Sequence, residues 1–212
     1  MKRVLIGLAT TAFAVLAFAG PASAASGQIL QFKFHGTFAD AFWFSSTDTS
    51  FTATSVGVQQ SSHGSELFID RFIANTDANG NITSGTDTFA DVTSGFSFNV
   101  DKAKLTTGST SGSGIPATTC AVDANGNEFN CNATTIDLTV NWVGQGPIAR
   151  QVSNNHFKVT GFSENDHFNG TDRAATATGT FSGSTLSATD LQFADLGFAN
   201  SGSILRCIGN GC

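Results

Sequence analysis

The chain has 212 residues, a formal net charge of −6 at pH 7 and only 12% charged residues. The acidic balance argues against nucleic acid and anionic membrane surfaces as partners, because both need a basic surface. The length suits one domain with a substantial core and does not require two.

The first two dozen residues have the form of a secretory signal. Lys2 and Arg3 precede an apolar run over residues 4–19, and Ala22-Ser23-Ala24 supplies small residues for cleavage. That run is about 16 residues, which is short for a membrane-spanning helix, and no later stretch predicts a span. We therefore expect residues 1–24 to be removed as a signal peptide. Residues 25–212 would be secreted as a single all-β domain with 8 basic and 16 acidic residues, a net charge of −8.

The first half of the mature chain alternates in the manner of β-strands. Segments 30–35 and 38–44 predict two strands broken at Gly36, and the second is apolar enough on both faces to be central. Alternation continues over 52–58, and further strands are predicted over 66–74, which is rich in bulky residues, and over 87–92 and 95–105. Segment 106–114 contains only Ser, Thr and Gly, which predicts a flexible connection.

The clearest strand patterns lie in the second half. Apolar and polar residues alternate over 136–142, and small residues alternate with hydroxyls over 173–181. Because small faces accept bulky neighbours, we expect Ala177 and Gly179 to lie near Trp142. The whole chain predicts an all-β fold, an antiparallel β-sandwich or a barrel-like arrangement of about ten to twelve strands, stabilised by disulfides.

All four cysteines lie in the part expected to be exported, where oxidising conditions favour disulfides. An Asn-Gly turn at 125–126 is a strong hairpin signal and places Cys120 opposite Cys131. The same reasoning pairs Cys207 with Cys212. A zinc site would be expected to show tighter Cys-x-x-Cys pairs, so we predict two structural disulfides.

Segment 154–173, expected as a polar loop at one end of the sheet, is the best candidate for a binding site. Imidazole and carboxylate groups could hold a metal ion or act as an acid and base pair, but their spacing matches no motif. We therefore predict no cofactor and assign no metal ligands, and the pattern favours a solvated loop with its own internal hydrogen bonds over a functional site. The candidate binding residues are His156, Glu164, Asp166, His167, Asp172 and Arg173.

Other motifs give weaker indications. No G-x-S-x-G elbow marks a nucleophilic serine. Asp-Ala-Asn-Gly-Asn occurs at 77–81 and 123–127 and is similar to the start of a calcium loop. The glycine and glutamate of an EF-hand loop are missing, however, and Asn-Gly turns explain both copies. A row of hydroxyls over 176–180 could bind ice or an ordered polysaccharide, but a single row is typical of an exposed strand face.

We expect a non-catalytic extracellular domain that binds an unknown ligand or surface, or that has a structural role. The alternative is an extracellular metal-assisted hydrolase that uses segment 154–173, so the sequence leaves catalysis undecided. The two hypotheses differ in geometry, because an enzyme needs its polar groups to converge in a concave pocket.

The secreted form should begin at Ala25, because Ala22-Ser23-Ala24 provides the small residues that a signal peptidase accepts. N-terminal sequencing of the protein recovered outside the producing cell tests this maturation. A secreted chain that still began at Met1 would contradict it.

Overall fold

The computed structural model describes residues 28–62, 64–159 and 162–208. These residues contain no helix, and eleven strands form one antiparallel sheet. Within them, no helix is long and apolar enough to cross a membrane. The strands are β1 (Gln28–Ser46), β2 (Ser50–Ser61), β3 (Gly64–Thr76), β4 (Ile82–Val92), β5 (Phe96–Val100), β6 (Thr107–Val122), β7 (Glu128–Gly144), β8 (Ala149–Val159), β9 (Phe162–Phe181), β10 (Ser184–Leu186) and β11 (Leu191–Ile208).

The sheet closes on itself through eight of its strands. Pairing runs from β1 through β2, β3, β4, β6, β7, β9 and β11, and β11 pairs with β1 again. The other three strands attach at edges, β5 to β6 and both β8 and β10 to β9. The all-β prediction and the strand number are confirmed, and the closed pairing corresponds to the barrel-like alternative.

The two strands predicted on either side of Gly36 are one continuous strand, β1. The register of β1 against β11 shifts between Phe34 and Gly36, so the chain bends at this point without leaving the sheet. Glycine is required here, since a Cβ atom on Gly36 would lie 1.9 Å from the backbone oxygen of Gln60. β1 pairs with β2 on one side and β11 on the other, which confirms its predicted central place.

Segment 106–114, expected as a flexible connection, instead supplies the first half of β6. It pairs with β5 on one edge and with β7 on the other. Its small residues are needed for close packing: a Cβ atom on Gly108 would lie 2.6 Å from Cδ2 of Leu196. Thr110 is buried, and its Oγ1 donates a hydrogen bond of 2.8 Å to the carbonyl oxygen of Ser97. Composition alone could not separate a tightly packed strand from a loose linker.

β7 and β9 are the closing pair of the ring. Trp142 is opposite Ala177, and Val140 is opposite Gly179, so the expected meeting of bulky and small faces is confirmed. A Cβ atom on Gly179 would lie 2.3 Å from the backbone oxygen of Thr139, so this position accepts only glycine. The bulky residues of β7 join one apolar core with residues from the other seven ring strands. Fully burying one such side chain contributes about 1.5–3 kcal/mol.

The predicted disulfide between Cys120 and Cys131 is present and crosses the hairpin of β6 and β7. The register shifts next to Cys120, between Thr119 and Ala121, so the bridge sits at a local irregularity of the pairing. In the chain-entropy account, closing a loop of about 12 residues stabilises the fold by roughly 3 kcal/mol. Cys212 and the side chain of Cys207 lie outside the described residues, so the second pair stays a prediction.

The two tryptophans allow a matched test of the core. Trp142 and Trp43 are both buried, but only the Nε1 of Trp142 has a hydrogen-bond partner, the carbonyl oxygen of Asp40 at 2.8 Å. Trp→Phe removes similar volume at both positions, and only Trp142→Phe also removes a hydrogen bond. We expect Trp142→Phe to lower the free energy of unfolding by about 1 kcal/mol more than Trp43→Phe, as measured by urea denaturation. Equal losses would show that the bond across the core contributes nothing.

Candidate functional site

The described residues of segment 154–173 belong to strands, where a loop was expected. β8 pairs with the first half of β9 in a regular antiparallel register, from Ala149 opposite Asp172 to Val159 opposite Phe162. β7 pairs with the second half of β9 and ends opposite Ala175. The hairpin of β8 and β9 therefore continues the sheet past the closing pair. It gives the polar residues of this segment fixed positions on two faces.

Two histidines and two asparagines lie on one face of this hairpin. His156 is directly opposite Asn165, and His167 is directly opposite Asn154. In each pair the Nδ1 atom of the histidine is 2.6 Å from the Oδ1 atom of the asparagine. All four side chains are exposed. The two pairs are adjacent along the strands, so the histidines occupy diagonal positions.

The contacts with the asparagine Oδ1 atoms favour one tautomer of both rings. An amide oxygen can only accept, so each Nδ1 carries the hydrogen and donates it. A neutral imidazole has one N–H group, which leaves the Nε2 atom of His156 and of His167 with a free lone pair. Both rings can therefore accept a hydrogen bond or coordinate a cation.

The paired histidines line an open groove on the sheet surface formed by β8, β9 and β11. Ser203 lies opposite His167 and Leu205 opposite Asn165 on the β11 side. The groove has a volume of about 350 Å³, at the small end of the range for small-ligand sites. We call it the His–Asn groove, and its lining residues are Asn154, Asn155, His156, Asn165, His167, Ser203 and Leu205.

Asp172 and Arg173 are not among the described residues that line the His–Asn groove, and both bond elsewhere. Asp172 accepts a hydrogen bond of 2.6 Å from Nε2 of Gln151, and burial raises the pKa of Asp172 above its ordinary value. Arg173 donates from Nη1 to the carbonyl oxygen of Lys104 at 2.9 Å. Glu164 and Asp166 take β9 positions opposite Phe157 and Asn155. Their side chains lie outside the described part of the chain.

Both copies of Asp-Ala-Asn-Gly-Asn are tight turns. In the first, Oδ1 of Asp77 accepts the backbone N–H groups of Asn79 and Asn81 at 2.8 and 2.9 Å. Asp123 does the same for Asn125 and Asn127 in the second copy, with the same two distances. A side-chain hydrogen bond from Asn81, followed by these backbone bonds, holds the pKa of Asp77 below its ordinary value. The backbone bond from Asn127, followed by its side-chain bond, lowers the pKa of Asp123. Local turn chemistry thus accounts for the repeated sequence.

A cluster of carboxyl groups that the sequence analysis did not identify lies on the outer face of the ring. Asp40 and Asp195 are direct partners on β1 and β11. Oδ1 of Asp195 is buried without a hydrogen-bond partner. Burial, with the charge of Asp195 adding to it, raises the pKa of Asp40 well above its ordinary value. Burial and then the charge of Asp172 raise the pKa of Asp195 to about 7.

A second carboxyl cluster lies on β3, β4 and β7. Burial, followed by the charge of nearby Asp70, raises the pKa of Asp87 to about 7, and Glu128 adds to this effect. Burial also raises the pKa of Asp70, although a hydrogen bond with Asp87 opposes the shift. Glu128 also lies close to Cys120 and Cys131, but the two sulfur atoms are bonded to each other and so are not free metal ligands.

The outer face also carries phenylalanine rings between these carboxyl groups. On β3 and β4, Phe72 is opposite Asp87 and Phe89 is opposite Asp70. On β1 and β11, Phe42 stacks on Phe193 with ring centroids 5.1 Å apart. These carboxyl groups are therefore held among aromatic rings on the outer face of the sheet. Burial in this setting explains their raised pKa values, so the shifts need not indicate a substrate pocket.

Sequence reasoning identified the two histidines but missed their asparagine partners and both carboxyl clusters. The alternation of Phe38, Asp40 and Phe42 with alanines was visible in the sequence. This pattern indicated a carboxyl group on a strand face that also carries aromatic rings. Which carboxyl groups meet depends on pairing between distant strands, and the sequence does not show that pairing.

Comparison with known proteins adds no relative. No family model matches the chain, and searches of curated proteins and of solved structures give no match. The candidate function therefore has to be argued from the geometry alone.

The raised carboxyl pKa values predict that stability declines with increasing pH. The folded protein keeps protons on Asp87 and Asp195 up to a pKa of about 7, whereas the ordinary value is 3.8. Between these values the folded state binds more protons than the unfolded state, so the free energy of unfolding falls as the pH rises. The thermal midpoint should therefore be higher near pH 5 than near pH 8. The lowered pKa values, such as that of Asp77, act in the opposite sense only in more acidic solution.

Paired variants test the origin of this slope. Asp87→Asn combined with Asp195→Asn should flatten the dependence and raise the midpoint near pH 8. Asp91→Asn, at an exposed position of the same strand β4, is the control and should leave the slope unchanged. A double variant that kept the full slope would show that other groups are responsible.

Proposed function

We propose that the protein is an extracellular, non-catalytic binding domain and that its ligand occupies the His–Asn groove. The signal-like segment 1–24 supports export, and the Cys120–Cys131 disulfide is compatible with an oxidising compartment. The groove supports binding because its lining side chains combine hydrogen-bonding capacity with fixed positions on strands.

One observation carries the proposal. Each histidine of the groove is bonded through Nδ1 to an asparagine oxygen at 2.6 Å, and none of the described residues that line the groove is a carboxylate. A neutral set of imidazole and amide groups can recognise a ligand, but it lacks the paired acid and base that hydrolysis uses. Asparagine holds its histidine in one tautomer without the negative charge that would stabilise a protonated ring during turnover.

The alternative hydrolase would need a base beside the histidines. Asp172, the described carboxylate of the segment, bonds to Gln151, and the guanidinium of Arg173 bonds to the backbone carbonyl of Lys104. The carboxyl groups with raised pKa values that pair across strands, Asp40 with Asp195 and Asp70 with Asp87, are not among the described residues that line the groove. The geometry therefore favours a binding site over a metal-assisted hydrolytic centre.

A panel of chromogenic esters, phosphates and glycosides tests the absence of catalysis. The secreted protein, assayed with added Zn²⁺ and again with a chelator, should give no turnover above that of the His156→Ala, His167→Ala double variant. Both side chains are exposed, so the double variant should differ in stability from the chelator-treated native protein by less than about 0.5 kcal/mol.

The result that would overturn the proposal is turnover by the native protein that the folded double variant lacks. Such a result would assign the groove to the hydrolase alternative. A thermal melt of the variant confirms that any lost activity is not caused by unfolding.

A further inference from the structure

We propose that the His–Asn groove binds a divalent transition-metal ion of the zinc type through the Nε2 atoms of His156 and His167. The inference rests on the proposed function, because it names the ligand class of the same groove. It stands on three features of the described residues: the tautomer of the two rings, their placement on one face, and the neutral chemistry around them.

The first feature is the tautomer. A histidine that binds a metal through one ring nitrogen generally donates its other N–H to a carbonyl or carboxylate oxygen, which orients the ring. His156 and His167 have this arrangement, with Nδ1 donating to Asn165 and Asn154 at 2.6 Å. Each asparagine oxygen thus orients its histidine as a carbonyl or carboxylate oxygen orients a metal-binding histidine. In this tautomer each Nε2 can coordinate an ion without losing a proton.

The second feature is placement. Because His156 is opposite Asn165 and His167 is opposite Asn154, the two rings are diagonal neighbours on adjacent strands and border one groove. Diagonal neighbours on an antiparallel pair are about 7–8 Å apart, and aromatic side chains reach across this gap. Two imidazoles in such positions can meet at one ion, with Zn–N bonds of about 2.0–2.1 Å.

The third feature selects the kind of ion. Among the described residues, the groove lining supplies imidazole, amide and hydroxyl groups and no carboxylate, whereas Ca²⁺ and Mg²⁺ prefer several oxygen ligands with negative charge. Imidazole nitrogen suits zinc, copper and nickel. With two protein ligands, the remaining positions of the ion would be filled by water or by a donor from a partner molecule, which suits an open site.

His35 provides a matched control within the chain. Its Nδ1 is 2.6 Å from the backbone oxygen of Asn200, so its ring has the same tautomer and the same free Nε2. It is not among the residues that line the groove. If a free Nε2 alone were enough for binding, removal of His35 would matter as much as removal of either groove histidine.

The experiment is a calorimetric titration of Zn²⁺ into the mature protein, prepared without a polyhistidine tag and freed of metal by a chelator. The native protein should bind one equivalent, and Mg²⁺ and Ca²⁺ should give no saturable signal. His156→Ala and His167→Ala should each weaken Zn²⁺ binding at least tenfold, and His35→Ala should change it less than twofold. Thermal melts in the presence of the chelator show whether each variant is folded.

The inference is overturned if the native protein shows no saturable Zn²⁺ binding, or if both groove variants keep the native affinity. Failure of this kind leaves the non-catalytic proposal standing, because that proposal is tested by substrate turnover. Conversely, Zn²⁺ binding at the two histidines together with turnover would support the metal site and contradict the non-catalytic proposal.

Discussion

The closing pair of β7 and β9 is the contact on which the rest of the structure depends. It joins the last strands of the chain to the middle ones, and it places Trp142 against Ala177 so that the indole can extend into the core. The hydrogen bond from Nε1 of Trp142 to the carbonyl oxygen of Asp40 then links residues 102 positions apart. Closure also fixes β9, whose first half extends beyond β7 and carries the hairpin with the His–Asn groove. The groove is thereby built on a strand anchored in the core, which is the arrangement that gives binding groups defined positions.

The two kinds of polar group in this molecule differ in what their surroundings do to them. On the outer face, carboxyl groups such as Asp40 and Asp195 are held between strands and among aromatic rings, where burial favours the neutral form. In the groove, His156 and His167 are exposed and neutral partners orient them. The first arrangement links folding to pH, and the second leaves nitrogen lone pairs available to a ligand. This division is the physical reason for assigning binding to the groove and a stability effect to the carboxyl clusters.

Local patterns in the sequence predicted much of the fold but little of the site. Alternation over 136–142 and 173–181 identified two strands, and the Asn-Gly turn located the Cys120–Cys131 bridge. Segment 106–114 was misread because a strand of Ser, Thr and Gly lacks the apolar contrast on which periodicity depends. Segment 154–173 was misread for the same reason, since polar residues occupy both of its faces. The His–Asn pairs could not be foreseen, because they depend on the register between β8 and β9, and closure depends on pairing between distant strands.

The tautomer of His156 and His167 is the most direct measure of whether the groove presents two free nitrogen lone pairs. Long-range ¹⁵N–¹H correlation spectra of the metal-free protein, recorded in mildly alkaline solution, distinguish the protonated nitrogen of a neutral imidazole from the unprotonated one. Both rings should show a protonated Nδ1 and an unprotonated Nε2, the tautomer expected when Nδ1 donates to Oδ1 of Asn165 and of Asn154 at 2.6 Å. Rings that carried the hydrogen on Nε2 would contradict this assignment, since Nδ1 would then be the acceptor and the groove would present N–H donors in place of metal-binding lone pairs.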